Sequence, residues 1–283
     1  MRQRHGFTLV EVLVALVIMG IVTGAIYTLL NTSQRVSLAQ AEQASLQSNV
    51  RIGSLVVPNE LRELNTVLGG TVDRNDITDA KPDAIKYRAM RGLGFVCQAP
   101  GVGATELRIA QSTWTGLRNP DAARDDLYLF FDDDPNDDDD DTWLQVDVTG
   151  ASLEADACGA AAGYELDIAA LPVAVPLYTP VRLFEEMEMK LHEADGQWWL
   201  GARSVSGGED IQPVLGPLTE DDGFELQYLN GAGAETADLT AIKSVRVTVR
   251  GLTEDAVRAG GSGALGRPEE ALVTQVLLRN SIR

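Results

Sequence analysis

The first thirty residues constrain the fold of this chain more strongly than any other segment. From Phe7 to Leu30 the residues are almost all apolar, and Glu11 is the only formally charged residue among them. At about 1.5 Å per residue, a helix of that length exceeds the roughly 30 Å hydrocarbon core of a bilayer. The sequence therefore predicts a membrane-spanning helix that carries one acidic side chain.

Glu11 is costly in this position, by about 2.5 to 3.5 kcal/mol on insertion scales, so it requires a functional explanation. The apolar run holds no basic residue that would neutralise it. Cleavage after Gly6 would create a positive amine on Phe7, one helical turn before Glu11. We expect the carboxylate to pair with the amine of its own chain or with that of a neighbouring chain.

The N-terminal sequence has three parts: a short basic leader ending at Gly6, the run Phe7-Thr-Leu-Val-Glu11, and an unbroken apolar helix. It resembles the class III signal of type IV prepilins and of the pseudopilins of type II secretion. The resemblance implies that a membrane-bound prepilin peptidase cleaves between Gly6 and Phe7 and that Phe7 is N-methylated. It also implies that Glu11 meets the amine of a neighbouring subunit, and that the partners are pilin or pseudopilin subunits and assembly-platform proteins.

Two simpler explanations account for less of the N-terminal sequence. A secretory signal has an apolar region of about 7 to 15 residues and a small-residue cleavage site, and neither is present here. A plain single-pass anchor explains the length, but it does not explain Gly6-Phe7 next to Glu11. Because Arg2 and Arg4 precede the span, we expect a cytoplasmic N-terminus in the inner membrane and a periplasmic or extracellular C-terminal domain, at a filament tip or base after assembly.

Beyond Leu30 the pattern remains helical but becomes amphipathic. One apolar stripe is predicted to lie on a folded domain, and its members are Ala39, Leu46, Val50, Val57, Leu61 and Leu64. Gly20 and Gly24 form a Gly-x-x-x-Gly pattern that permits close helix packing, although locally reduced helix stability explains it as well. Pro58 is expected to kink the helix or to restart it at Asn59.

The rest of the chain predicts an antiparallel sheet. After a loop from Thr66 to about Pro82, short strands are expected at 84–89, 94–98, 106–110, 126–131 and 143–148. Residues 150–180 read as an irregular excursion. Strict alternation from Val181 to His192 then predicts a strand with one buried and one solvent-exposed face, which turns into Gln197–Leu200. Further strands are expected at 224–229, 244–250 and 272–278.

The predicted fold is therefore α+β, with a long N-terminal helix packed on an antiparallel β-meander in the manner of pilins. The predicted segments are a cleaved leader (1–6), a transmembrane assembly helix (7–30), its amphipathic continuation (31–65), a variable β/loop region (66–180) and a C-terminal sheet (181–283). The layout of that last sheet resembles PilW-type minor pilins and GspJ-type minor pseudopilins, through the segments 223–228, 241–249 and 276–280.

Residues 132–141 hold eight aspartates in ten positions and are expected to form a hairpin tip. Alternate oxygen ligands at Asp134, Asn136, Asp138 and Asp140 follow a spacing that can surround calcium. The glycine and the final glutamate of the EF-hand loop are missing, and a run of like charges is most often simply solvated. Calcium binding and a solvated loop therefore both remain open.

The chain has only two cysteines, Cys97 and Cys158. In an oxidising compartment they are expected to form one disulfide, and the alternative is a pair of buried thiols. A net charge of −19 argues against a surface that follows nucleic-acid phosphates, so no direct nucleic-acid binding is expected.

No catalytic motif with a recognisable spacing is present, so we expect no enzymatic activity. The leading prediction is a minor pilin that initiates or caps a type IV pilus. The alternatives are a minor pseudopilin of a type II secretion system and, from another class, a calcium-dependent adhesion module at a filament tip.

Overall fold

The computed structural model describes residues 8–66, 75–131, 142–258 and 263–278. Within these ranges one long helix, α1 (Leu9–Arg62), precedes the strands. The strands are β1 (Ile77–Ala80), β2 (Ala84–Gln98), β3 (Glu106–Ala110), β4 (Thr115–Gly116), β5 (Asp125–Phe131), β6 (Thr142–Val146), β7 (Val148–Glu154), β8 (Gly163–Ile168), β9 (Pro180–Ala194), β10 (Gln197–Ser204), β11 (Gln212–Leu218), β12 (Phe224–Leu229), β13 (Ser244–Leu252), β14 (Val257–Arg258), β15 (Leu265–Gly266) and β16 (Glu269–Leu277). The predicted α+β class is confirmed.

The described strands form one 14-stranded sheet and the small β14–β15 pair. The main path of the sheet runs β12-β13-β11-β10-β9-β2-β3-β8-β7. At its centre, β2 and β9 pair antiparallel from Ala84↔Lys190 to Phe95↔Pro180. β9 also pairs with β10 and β5, so its backbone is used on both edges.

Two compact units make up the chain. The first contains Met1–Ser48 and Leu252–Glu270, and the second contains Asn49–Gly251 and Ala271–Arg283. In the first unit the Asp255 backbone N–H donates to Glu42 Oε2 at 3.2 Å. The Thr253 N–H donates to the Pro268 carbonyl at 3.1 Å, which closes the 252–270 segment on itself.

The second unit holds two hydrophobic clusters. In the first, the end of α1 packs on the sheet: Val57, Leu61 and Leu64 are buried together with side chains of β2, β12 and β13. The second cluster is built from β3, β5, β6, β8 and the start of β9. Of the predicted helical stripe, Leu46, Val50, Val57, Leu61 and Leu64 are all buried, and Ala39 is half-buried.

Helix α1 continues through Pro58 to Arg62, so the predicted restart at Asn59 is wrong. Proline lacks an N–H, and at this position it leaves only the carbonyl of Ser54 without its helical donor. The lost hydrogen bond lies near the end of the helix. The burial of Leu61 in the next turn compensates for its loss.

The two strands predicted at 84–89 and 94–98 are one continuous strand, β2. The pairing with β9 shifts between Met90↔Phe184 and Gly92↔Leu183, which leaves Arg91 as an extra residue in a bulge. A bulge changes which face a strand presents. The sequence on either side of it therefore reads as two separate alternating segments.

Strands were also missed in regions predicted to be irregular. β1 lies inside the predicted loop 66–82, and β8 lies inside the predicted excursion 150–180. The prediction that the even-numbered residues of β9 face solvent is wrong for Arg182 and Glu188, which are 8% and 7% exposed. Both are buried with oppositely charged partners, and sequence alternation does not distinguish a paired charge from a solvated one.

Gly53 is the point where α1 comes close to the sheet. A Cβ at this position would overlap Leu215 Cδ2 and lie 3.2 Å from Val249 Cγ1. We expect Gly53→Val to lower the free energy of unfolding of the full chain by about 2 to 3 kcal/mol, because the helix would be pushed off the sheet. Ser48→Val places the same side chain on an exposed position of α1 and should change stability by no more than about 0.5 kcal/mol. Equal effects of the two variants in chemical denaturation would contradict the close approach.

Candidate functional site

The described helix begins with a set of hydrogen bonds between Thr8 and Glu11. The Thr8 backbone N–H donates to Glu11 Oε2 at 2.9 Å, and the Thr8 hydroxyl donates to the same oxygen at 3.1 Å. The Glu11 N–H donates in return to Thr8 Oγ1 at 3.3 Å. This reciprocal arrangement is a capping box, which satisfies N–H groups that have no partner at a helix start.

The apolar part of α1 has exposed side chains throughout. Leu9 is 83% exposed and Met19 is 68% exposed, and one window of the helix is long and apolar enough to cross a membrane. In water such a surface would be strongly unfavourable, at about 25 cal/mol for each Å² of apolar area. The length and composition of the helix fit a membrane anchor.

Gly20 and Gly24 lie in the middle of this exposed segment. A Cβ built on either glycine would have no heavy atom within 4 Å, so space for a neighbouring helix is open at both. The Thr28 hydroxyl donates back to the Gly24 carbonyl at 2.9 Å, which removes a polar group from the apolar surface. The role of both glycines in helix packing stays a prediction.

Several predicted residues fall outside the described ranges. These are the cleavage pair Gly6 and Phe7 and the calcium candidates Asp134, Asn136, Asp138 and Asp140. In the ranges that are described, no three His, Cys, Asp or Glu residues are grouped to hold a metal ion. Calcium binding and its use at a filament tip therefore stay predictions.

Cys97 and Cys158 form a disulfide with their Cα atoms 5.5 Å apart. Cys97 lies near the end of β2, and Cys158 lies in the turn between β7 and β8. Since the strand order is β2-β3-β8-β7, the bridge links β2 to the β7–β8 turn, and β3 lies between β2 and β8. The predicted pairing is confirmed.

A buried carboxylate in β9, Glu185, was missed by sequence reasoning. Its side chain is 5% exposed and meets three guanidinium groups: Arg91 Nε at 2.8 Å, Arg118 Nη2 at 3.2 Å and Arg124 Nη1 at 3.7 Å. Burial favours the neutral acid, but hydrogen bonds from Ser204 and Arg91 outweigh it and hold the pKa of Glu185 below its ordinary value. No local signal could identify this group, because its arginine partners are 61 to 94 residues away.

A second buried charged residue in β9, Arg182, also pairs with an acid that is far away in the sequence. Arg182 Nη2 donates to Asp76 Oδ2 at 2.8 Å, and the Asp76 side chain is fully buried. Burial raises the pKa of Asp76, and Arg182 opposes that rise. The Asn65 N–H also donates to Asp76 Oδ2 at 2.8 Å, so this acid ties the chain after α1 to the sheet.

Acidification is expected to weaken the Glu185 cluster. The pKa of Glu185 is lower in the folded chain than in the unfolded chain, where it is about 4.3, so its stabilisation is complete above that value and is lost as the pH falls through the folded pKa. Glu185→Gln should lower the free energy of unfolding by about 3 kcal/mol at pH 7, and less at pH 3.

The control for this prediction is Glu106→Gln, which removes an exposed partner of Arg108 and should cost no more than about 1 kcal/mol. Denaturant unfolding of the full chain at several pH values measures both variants. A difference between Glu185→Gln and the unaltered chain that stays constant from pH 7 to pH 3 would contradict the assigned role.

A cleft of about 530 Å³ opens beside the end of α1. Its lining contains both charge signs together with apolar side chains, and the residues are Asn59, Glu60, Glu63, Leu64, Ala89, Met90, Arg91, Gly92, Thr115, Gly116, Leu117 and Arg182. The bulge residue Arg91 reaches this cleft while its Nε donates to Glu185. The two arginines of the lining are thus engaged with buried acids.

Residues 1–27 match the family model of the prokaryotic N-terminal methylation motif. The chain therefore carries a prepilin-type signal, and the matched region includes Gly6, Phe7, Glu11 and most of the exposed apolar helix. A search of the curated proteins finds no match to the chain, and a search of the solved structures finds none either.

The signal supports a substrate of the type IV pilin or pseudopilin kind. It implies processing by prepilin peptidase and assembly with other pilin subunits. Together with the apolar part of α1, it fits a membrane-anchored protein.

Proposed function

We propose that this protein is a minor pilin, a low-copy subunit that initiates or caps assembly of a type IV pilus. The observation that carries the proposal is the prepilin-type signal on a helix whose apolar side chains are exposed along the segment of Leu9 to Leu30. A helix of this kind needs an apolar environment on all sides. Lipid provides that environment before assembly, and the helices of neighbouring subunits provide it afterwards.

In the proposed mechanism, prepilin peptidase cleaves between Gly6 and Phe7 and leaves a methylated amine on Phe7. Glu11 of one subunit then pairs with the amine of another, which compensates the charge of both groups in an apolar surrounding. Gly20 and Gly24 allow the helices to approach closely. The role is structural and needs no catalysis.

The proposed location is the inner membrane, with the N-terminus in the cytoplasm and the sheet outside. Arg2 and Arg4 support this orientation, because basic residues favour the cytoplasmic side of a span. The disulfide between Cys97 and Cys158 supports it independently, because disulfides persist in oxidising compartments.

Two features of the sequence support a low copy number. Major pilins carry a proline inside the apolar segment, and here no proline occurs before Pro58. The domain that follows the helix is large and acidic, with a net charge of −19 for the whole chain. Like charges that repeat along a filament repel one another, which favours a few copies at one end.

The test has two parts. The full chain is first produced with prepilin peptidase, and mass spectrometry should show loss of Met1–Gly6 and one added methyl group, whereas Gly6→Leu should keep the leader.

The gene is then deleted in its host, and pili should be lost although the major subunit is still made. Loss of protein secretion with normal pili would favour the pseudopilin alternative, and an amount equal to the major subunit in sheared filaments would contradict a minor role.

A further inference from the structure

Strand β16 lies at an edge of the described sheet. It pairs with β13, and no other described strand pairs with it. The Leu278 N–H donates to the Lys243 carbonyl at 3.0 Å, so the strand is held to β13 up to its end. The outer edge of Ala271–Leu277 therefore presents backbone N–H and C=O groups that no described strand uses.

The composition of this edge is unusual for an exposed strand. Ala271-Leu-Val-Thr-Gln-Val-Leu277 contains no charge, no proline and no glycine. Natural proteins commonly protect edge strands with charges, prolines, bulges or covering segments, because a bare edge pairs with other chains. The last seven residues of β16 carry neither charge nor proline.

Two neighbouring strands show how the same sheet protects its other backbone groups. β11 carries Pro213 and Pro217, and the Asn49 side chain donates to the Gly216 carbonyl at 2.9 Å. On β12, the Leu226 N–H donates to the Pro82 carbonyl at 2.6 Å. The Thr236 N–H donates to the Tyr228 carbonyl at 3.0 Å. These contacts use backbone groups of β11 and β12, whereas no described strand uses the outer edge of β16.

The side chains of β16 divide between the core and the outside. Val276 is 2% exposed and belongs to the core that α1 covers, whereas Val273 and Leu277 are 61% and 62% exposed. Gln275 lies between these two on the outward face and is exposed as well. The outward face of the edge is thus apolar, polar, apolar at alternate positions, which suits a second strand with the same alternation.

We propose that β16 pairs with β16 of a second copy of this chain, antiparallel and centred on Gln275. In that register Val273 lies opposite Leu277 of the second copy, Gln275 lies opposite its own equivalent, and the pattern repeats by two-fold symmetry. Such an interface closes after two copies. It adds backbone hydrogen bonds and two apolar cross-strand pairs.

Charge identifies the second copy as the occupant. The chain has a net charge of −19, so contact between most parts of two copies brings like charges together. Ala271–Leu277 is free of charge, and two copies meet there without that repulsion. Since the symmetric register also pairs apolar with apolar residues, the strand complements itself.

Site-directed disulfide formation in the full-length chain in detergent tests the register. In Gln275→Cys the two new thiols lie opposite each other, so mild oxidation should give a dimer on a non-reducing gel. When both copies carry only Val273→Cys, the two thiols lie about four residues apart along the strands. That distance is roughly 13 Å, beyond the reach of a disulfide. A mixture of Val273→Cys and Leu277→Cys chains should form the mixed dimer. The native cysteines are already joined and do not interfere.

A second measurement addresses association without crosslinks. Sedimentation of the full-length chain in detergent should show a dimer that Val273→Lys weakens by about tenfold in Kd, because two apolar pairs are lost and the edge becomes charged. Val214→Lys is the matched control, since Val214 is 58% exposed on β11, and it should leave the dimer unchanged. This test does not depend on pilus assembly.

Three results would overturn the proposal. The first is a chain that stays monomeric in detergent at tens of micromolar. The second is a dimer that Val273→Lys does not weaken, as expected if the membrane helices alone associate. The third is crosslinking of Gln275→Cys no stronger than that of a Val214→Cys control.

Discussion

Replacing Glu11 with glutamine is expected to reduce incorporation of the chain into filaments by about tenfold or more while leaving leader cleavage intact. The carboxylate is the only formal charge between Phe7 and Leu30, and its proposed partner is the amine of another subunit. Glutamine keeps the size and a hydrogen-bond acceptor but removes the charge. A loss of one charge pair in an apolar surrounding is worth at least about 1.4 kcal/mol, which is tenfold.

The measurement is immunoblotting of sheared filaments and membrane fractions with the processed and unprocessed forms resolved. Glu42→Gln is the control, because it neutralises an acid of the same helix outside the apolar segment. Glu42 accepts the Asp255 N–H, a bond that glutamine can also accept. If Glu11→Gln chains enter filaments at the level of the control, charge pairing is not the role of Glu11.

Loss of the disulfide is expected to have the largest effect on stability. Cys97 and Cys158 are 61 residues apart, and closing a loop of that size removes unfolded-state entropy worth about 4 kcal/mol. The Cys97→Ser, Cys158→Ser double variant should therefore unfold at a markedly lower denaturant concentration. The strands β3 and β8 should lose protection first, because the bridge joins β2 to the turn before β8.

The experiment is hydrogen exchange with chemical denaturation of the full chain, with and without a reducing agent. Reduction should destabilise the unaltered chain and leave the double variant unchanged. If alkylation labels both cysteines in native, non-reduced protein, the bridge is absent in solution and the expected loss does not apply.

Local patterns in the sequence predicted much of the fold. The stripe from Leu46 to Leu64 follows the helical period, and the structure buries each of its residues after Ala39. The strands predicted at 106–110 and 224–229 have the observed bounds, because their apolar residues alternate cleanly and turn residues flank them. These features depend on residues within one or two turns or within one strand.

The features that were missed depend on residues far apart in sequence. Arg182 is a buried residue because Asp76 lies 2.8 Å from it, and Glu185 is buried because three arginines surround it. A single strand cannot reveal such partners. The bulge at Arg91 likewise depends on the register with β9, and it divided one strand into two apparent ones.

At the candidate site, too, some features were predicted from the sequence and others were missed. A dense local motif from Gly6 to Glu11 predicted the prepilin-type signal, and the match of residues 1–27 confirms it. The capping box between Thr8 and Glu11 was not predicted, although a threonine three residues before a glutamate is its ordinary sequence pattern. The apolar span around Glu11 indicated a role for its charge and gave no indication of its hydrogen bonds to Thr8.

The capping box gives Glu11 hydrogen-bond partners in its own chain before any pairing with another subunit. Before joining, Glu11 Oε2 already accepts both the backbone N–H and the hydroxyl of Thr8. In the proposed pairing, an amine that displaces these donors gains only the difference between two favourable interactions. Each added subunit would then be held reversibly at first, and a wrongly placed subunit could leave before the apolar contacts along α1 accumulate.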